Sequence, residues 1–276
     1  MRVEAGRQEV GGTPVYRARP AGTREPLPAV VVIQEVWGVD EHIEDLTRRF
    51  AEAGYLAVAP DLYAEGGRRP DVLADERISV LKRFLDTAPP TVWTDPSSRE
   101  GLIAARPAEE REELRGTMAA VLNPNRPIPR YLETLRGVAA ALRESEECTG
   151  RVVSTGYCFG GLLSALLAGA DPELSGAAVY YGSPPQLTAM EGLACALIGF
   201  YGEDDTRITA AVPAFAEALR GAGKEFEAHV YPATPHAFFN DLRPSYRVGP
   251  ARDAWARTLS FFARVTDGAG AREIRA

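Results

Sequence analysis

Val30-Val31-Val32-Ile33 is an unbroken apolar run that stops at the polar pair Gln34-Glu35. A short, β-branched run of this kind predicts a strand covered on both faces. Beyond it, Asp40 precedes Ile43, Leu46 and Phe50, spaced three and four apart, and Gly54 follows. Cap, apolar stripe and glycine stop together predict an amphipathic helix. Residues 55–59 read as the next strand, and Gly11-Gly12, between two short extended pieces, predicts an N-terminal β-hairpin. Later in the chain, strands are predicted at 151–155, 177–181, 195–201 and 226–231, with helices after the first of these and at 213–219. Trp255, Leu259 and Phe262 mark the expected inner face of a last helix. His42, in the first turn of the first helix, is expected to be solvated, and His229, alternating within a strand, to be packed or half-exposed. The alternation predicts an α/β class, a single domain over residues 1–266 with a mostly parallel central sheet flanked by helices.

Residues 66–147 depart from this rhythm. They hold Pro89-Pro90, Trp93, the charged run Glu109-Glu110-Arg111-Glu112-Glu113 and Asn123-Pro124-Asn125-Arg126-Pro127. The stretch reads as a long helical insertion. It is either a solvated excursion, as charge runs usually are, or a lid with Trp93, Leu102 or Ile103 turned to substrate. Residues 267–276, rich in Gly, Ala and Arg, are expected to fray.

Composition narrows the partners. A chain of 276 residues, 45% hydrophobic, is long enough for a full core, and its net charge of −7 argues against nucleic acid or an anionic membrane as partner. No apolar stretch approaches the ~20 residues of a membrane helix, and the first residues lack the apolar centre of a signal peptide, so the expected location is cytoplasmic. Three widely spaced cysteines do not form a disulfide framework. No cofactor is implied and no cluster has metal-ligand spacing.

Gly156-Tyr157-Cys158-Phe159-Gly160-Gly161 follows the strand at 151–155 directly. Strand, then Gly-x-nucleophile-x-Gly, then helix is the pattern of a nucleophile elbow, whose tight turn leaves room only for glycine beside the nucleophile. Cys158 stands where Ser is usual. Past the strand at 195–201 comes Gly202-Glu203-Asp204-Asp205-Thr206-Arg207-Ile208, and past the strand at 226–231 comes Pro235-His236-Ala237-Phe238. Cys158, an aspartate and His236 therefore follow in the order nucleophile, acid, base, each just past a strand, which is the order of an α/β-hydrolase. The Gly-x-x-Asp spacing from Gly202 and the following Arg207-Ile208 favour Asp205 over Asp204 as the acid.

In such a site Cys158 feels the positive end of a helix, which favours thiolate. His236 takes and returns the proton, and Asp205 holds the imidazole. The backbone N–H groups of Phe159 and Val36 are the expected oxyanion donors. Cys148 and Cys195 read as structural thiols.

The segments from Val30 to Val39, Ala59-Pro60-Asp61-Leu62-Tyr63, the elbow, residues 201–208 and His236-Ala237-Phe238-Phe239 resemble the dienelactone hydrolase (carboxymethylenebutenolidase) family, over roughly residues 28–265. The resemblance implies an α/β-hydrolase fold, a Cys-His-Asp triad, and hydrolysis of a small ester or lactone through an acyl-cysteine. It also implies that Glu35 interacts with the resting thiol and helps control its ionisation, holding Cys158 partly neutral until substrate rearranges the site. A structural role for Glu35, anchoring a loop N–H or an arginine, is the other reading. Family members that act on dienelactone bind its carboxylate with arginines, one of them four residues past the histidine. Here that position is Asn240, with Arg243, Arg247 and Arg77 as the candidates to replace it. Trp37, Tyr63, Phe238 and Phe239 suit an apolar or aromatic acyl group. The alternatives are a broader carboxylesterase or thioesterase on the same triad, and a non-catalytic small-ligand binder that keeps the fold. The sequence does not give the oligomeric state.

Overall fold

The protein is described here by a computed structural model covering residues 2–93 and 95–267; residues 268–276 of the expected tail and the side chain of Trp93 lie outside the described residues. In chain order the elements are β1 (Val3–Val10), β2 (Thr13–Pro20), β3 (Leu27–Ile33), α1 (Glu41–Glu52), β4 (Leu56–Pro60), α2 (Asp75–Asp86), α3 (Pro96–Ala104) and α4 (Ala108–Val121). There follow α5 (Ile128–Glu144), β5 (Cys148–Tyr157), α6 (Phe159–Ala170), β6 (Gly176–Tyr180), β7 (Ala196–Gly202), α7 (Thr206–Thr209), α8 (Val212–Gly221), β8 (Phe226–Tyr231) and α9 (Val248–Thr266). Two compact units result. One comprises Met1–Glu35, Val39–Leu62 and Ile128–Ala276, the other Val36–Gly38 and Tyr63–Pro127.

The first unit is built on an eight-stranded sheet in the order β1-β2-β4-β3-β5-β6-β7-β8. β2 runs antiparallel to both β1 and β4, and β3 to β8 pair in parallel. The expected hairpin closes between Val10 and Thr13 with Gly11 at φ +58° and Gly12 at φ +76°, a two-residue turn open mainly to glycine. Both faces of the central strands are covered, which is why β3 reads as a continuous apolar run. Val30, Val32 and Val153 share one core with Ile43, Leu46 and Phe50 of α1 and Phe261 and Phe262 of α9. On the opposite face Ser154 of β5 hydrogen-bonds Ser164 of α6 at 2.8 Å.

Helix α1 begins as the sequence predicts: the Asp40 carboxylate accepts from the Ile43 N–H at 3.1 Å, and the chain leaves the helix through Gly54 at φ +98°. His42 corrects the expectation of solvation. It is fully buried, because His42, Leu46 and Phe50 lie at i, i+4 and i+8 along one ridge of the helix. Its ring stands edge-on to Tyr157 at 6.0 Å and its Nδ1 is 3.7 Å from the Asp241 carboxylate. In α9 the fully packed line runs through Ala251, Ala254, Thr258 and Phe261, with Phe262 beside it, while Trp255 and Leu259 flank the core and stay partly exposed. A buried threonine fits this line because its hydroxyl meets the Tyr180 hydroxyl at 2.6 Å.

The second unit contains α2, α3 and α4. Its buried side chains include Ile78, Leu81, Phe84 and Leu85 of α2, Ile103 of α3, and Leu114, Thr117, Met118 and Val121 of α4. Asp95 caps α3, accepting from Ser97 and Ser98 N–H at 3.0 Å each. Arg77 is bound to Thr117 Oγ1 and the Glu113 carbonyl. The stretch predicted to leave the sheet rhythm at 66–147 thus divides. Residues 63–127 lie in the second unit, and α5 returns to the first, where it packs on β5.

Candidate active site

β5 ends at Tyr157 and α6 begins at Phe159, so Cys158 alone makes the turn between them. It does so at φ +56° and ψ −114°, a backbone conformation rarely adopted by a side-chain-bearing residue. The flanking glycines are required by close approach. A Cβ on Gly156 would run into the Gly160 carbonyl, and one on Gly160 into the carbonyls of Ile33 and Gln34. A Cβ on Gly161 would sit 2.8 Å from the Tyr180 carbonyl oxygen.

The loops after β7 and β8 are stitched together. The Asp204 N–H donates to the Thr234 carbonyl at 3.0 Å, and the Ala233 N–H donates to the Glu203 carboxylate at 3.1 Å. Glu203 and the backbone of Asp204 thus hold the two loops in register, leaving the next residue to reach inward. The Nδ1–H of His236 donates to Asp205 Oδ2 at 2.5 Å. The imidazole is only a third exposed and the carboxylate a tenth. With Nδ1 committed to Asp205, Nε2 is the ring nitrogen left for Cys158.

Burial by itself would push the His236 imidazolium toward the neutral form. The nearby Cys158 sulfur and the hydrogen bond to Asp205 outweigh it and raise the group to about 10. Burial, reinforced by the nearby charge of Glu35, pushes the Tyr181 phenol well above its ordinary value, so it remains a donor.

Glu35 ends the β3 run, with 3% of its surface exposed. A carboxylate so buried needs donors. Asn240 Nδ2 donates to its Oε2 at 2.9 Å and the Tyr181 hydroxyl to its Oε1 at 3.4 Å. The preceding Gln34 is buried too, its Oε1 taking the Leu62 N–H at 3.1 Å. Tyr181 also lays its ring edge-on to His236, centroids 5.0 Å apart, and holds φ +40°. Sequence reading missed Tyr181, although the signal was there: like Glu35 and Cys158, it stands just past the carboxyl end of a sheet strand.

The first unit therefore brings together Cys158, Asp205, His236, Glu35, Asn240 and the start of α6 at Phe159. Phe238 is fully buried between Tyr181 and Tyr231, and Phe239 stacks on Tyr157. Val36, Trp37 and Tyr63 belong to the second unit, where the Tyr63 hydroxyl donates to the Val36 carbonyl at 2.7 Å and Lys82 lies over the Trp37 ring. Arg247 donates to the carbonyls of Pro244 and Tyr246. His229 stacks on Phe200 and meets Glu227 at 2.7 Å. Cys148 and Cys195 are free thiols, each pushed up by burial, Cys195 to about 11. Among the described residues no group of three or more His, Cys, Asp or Glu side chains is arranged to hold a metal ion, and no helix is long and apolar enough to cross a membrane.

Residues 13–266 match the family model described as "Dienelactone hydrolase family". A protein of Saccharolobus solfataricus provisionally named a carboxymethylenebutenolidase is 35% identical over 251 residues, covering 91% of this chain and 94% of that one. One of Escherichia coli K12 with the same provisional name is 34% identical over 260 residues, covering 90% and 81%. The crystal structure of a provisionally assigned dienelactone hydrolase from Klebsiella pneumoniae subsp. pneumoniae MGH 78578 superposes with a TM-score of 0.70 at 31% identity, covering 96% of this chain and all of that one.

Proposed function

Because the chain belongs to the dienelactone hydrolase family, we propose that it hydrolyses small carboxylic esters or lactones with Cys158 as nucleophile, His236 as base and acid, and Asp205 orienting the imidazole. The reading is carried by one observation: His236 is bound to Asp205 at 2.5 Å past the ends of β8 and β7, while Cys158 is held in a strained elbow past the end of β5 in the same sheet.

The chemistry follows from that arrangement. His236 Nε2 takes the Cys158 proton as the sulfur adds to the substrate carbonyl carbon. The carbonyl electron pair moves onto oxygen, where the Phe159 N–H at the start of α6 stabilises it. The tetrahedral adduct collapses, the carbon–oxygen bond breaks, and the leaving alkoxide takes the proton from Nε2. The acyl group remains on sulfur as a thioester. Water then gives a proton to Nε2 and adds to the thioester carbon. The carbon–sulfur bond breaks, the sulfur recovers its proton from Nε2, and the acid leaves with the resting site restored. A lactone follows the same course with its alcohol tethered to the acyl chain. Asp205 keeps Nδ1–H engaged throughout and stabilises the imidazolium.

Steady-state hydrolysis of p-nitrophenyl acetate, a short thioester, a neutral lactone and cis-dienelactone by wild type and Cys158→Ala tests the reading. Turnover that vanishes in Cys158→Ala supports it, and turnover that survives moves the nucleophile elsewhere. No turnover by wild type on the whole panel favours a binder over a hydrolase.

A further inference from the structure

We propose that Asn240 is a positioning residue that pins Glu35 to the end of β3 and thereby sets how His236, four residues earlier on the same loop, meets Cys158. The inference rests on the nucleophile and base assigned above. The Asn240 amide is committed at both ends: Nδ2 donates to Glu35 Oε2 at 2.9 Å, and Oδ1 accepts from the Leu242 N–H at 3.1 Å. Its own N–H donates to the Ala237 carbonyl at 3.2 Å. The side chain is 1% exposed and so works as an internal clip. The loop it clips passes through Ala237 at φ +57°, a conformation that needs external support.

Chemistry gives the clip its direction. Among the described residues the hydrogen-bond donors to the Glu35 carboxylate are Asn240 and Tyr181, and both are neutral. They engage both carboxylate oxygens, fixing where that charge sits, and bring no second cation to compete with His236 for the sulfur. Tyr181, the other donor, rests on the His236 ring. A loosened Glu35 would release its charge into the space around the Cys158–His236 pair, and a like charge there disfavours the thiolate.

The test is iodoacetamide alkylation of Cys158 in the free enzyme, located by peptide mass spectrometry, together with kcat and KM on p-nitrophenyl acetate. Asn240→Leu deletes the amide at similar volume. It should slow alkylation at pH 7 by about tenfold and lower kcat by about 10- to 100-fold with KM little changed, the size expected when a buried partner is left unpaired. In a Glu35→Gln background the same substitution should cost no more than about threefold, because the group through which Asn240 acts has lost its charge. Asn240→Asp keeps the shape. There the two carboxylates share a proton on acidification and the clip reforms, so the ratio of variant to wild-type alkylation rate should rise as pH falls. An Asn240→Leu enzyme alkylated at the wild-type rate, equal losses in both backgrounds, or a pH-independent ratio for Asn240→Asp would each overturn the proposal. Failure of the underlying reading is separately visible, as wild-type hydrolysis that survives Cys158→Ala.

Discussion

His236 Nδ1 lies 2.5 Å from Asp205 Oδ2, while the neighbouring Asp204 turns its backbone, not its carboxylate, to the histidine loop, donating its N–H to Thr234. Two adjacent acids thus have separable duties. Asp205→Asn should lower kcat by about 10²- to 10⁴-fold, since an amide no longer fixes the imidazole tautomer or stabilises the imidazolium. Asp204→Asn keeps the N–H and should stay within a few-fold of wild type. Parallel kcat measurements on the two variants check this, and the reverse order would assign the acid to Asp204.

The ionisation of His236 should depend on Cys158. In the folded protein the imidazolium persists up to about pH 10, whereas in the unfolded chain it is lost near 6.5. A raised folded value contributes stability that is complete below about 6.5 and fades as pH rises through the folded value. In Cys158→Ala the sulfur's electrostatic support of the imidazolium is gone, so the NMR titration midpoint of the His236 ring should fall by more than a unit. Thermal stability should also fall less steeply between pH 7 and 10. An unchanged midpoint would mean the two groups are not paired.

Thiol reactivity should be confined to the elbow. Burial holds Cys148 and Cys195 in the thiol form, Cys195 up to about 11. Limited iodoacetamide at pH 7.5 should place one label per chain, on Cys158. Equal labelling of Cys195 would contradict the packing around it.

The elbow should tolerate no added carbon. Gly160→Ala drives a methyl into the carbonyls of Ile33 and Gln34, backbone that cannot step aside, and should cost about 3 kcal/mol or more by thermal or urea unfolding. Gly137, exposed within α5 and with nothing near its missing Cβ, is the control. Gly137→Ala should be neutral or stabilising by up to about 1 kcal/mol.

Much of the sheet was legible because its strands are covered on both faces and so read as apolar runs: Val30 to Ile33, residues 151–155 and residues 195–201. The elbow was legible for a steric reason, since a strand turning into a helix within one residue forces glycine at fixed offsets. Residues whose role depends on what lies opposite were harder to read. His42 looked like a surface residue in a first helical turn until Tyr157 and Asp241 closed over it. Tyr181 looked like another apolar strand residue, yet its hydroxyl meets Glu35 across 146 positions of chain. In α9 the stripe of large side chains drew attention to Trp255 and Leu259, while the deepest line holds alanines and a threonine that let the helix approach the sheet.

By itself the sequence determined local geometry: the order of strands and helices, the strained turn at Cys158, and the succession Cys158, Asp205, His236. These depend on periodicity and on sterics among near neighbours, and both are written in consecutive residues. Tertiary structure put Asp205, which the Gly-x-x-Asp spacing favours, against the imidazole, and it alone decided that Glu203 and Asp204 bind one loop to the other and that Asn240 grips Glu35 from 205 positions away. Hydrogen bonds between distant segments depend on where side chains point once parallel strands bring their carboxyl ends together, and the chain records no spacing for that.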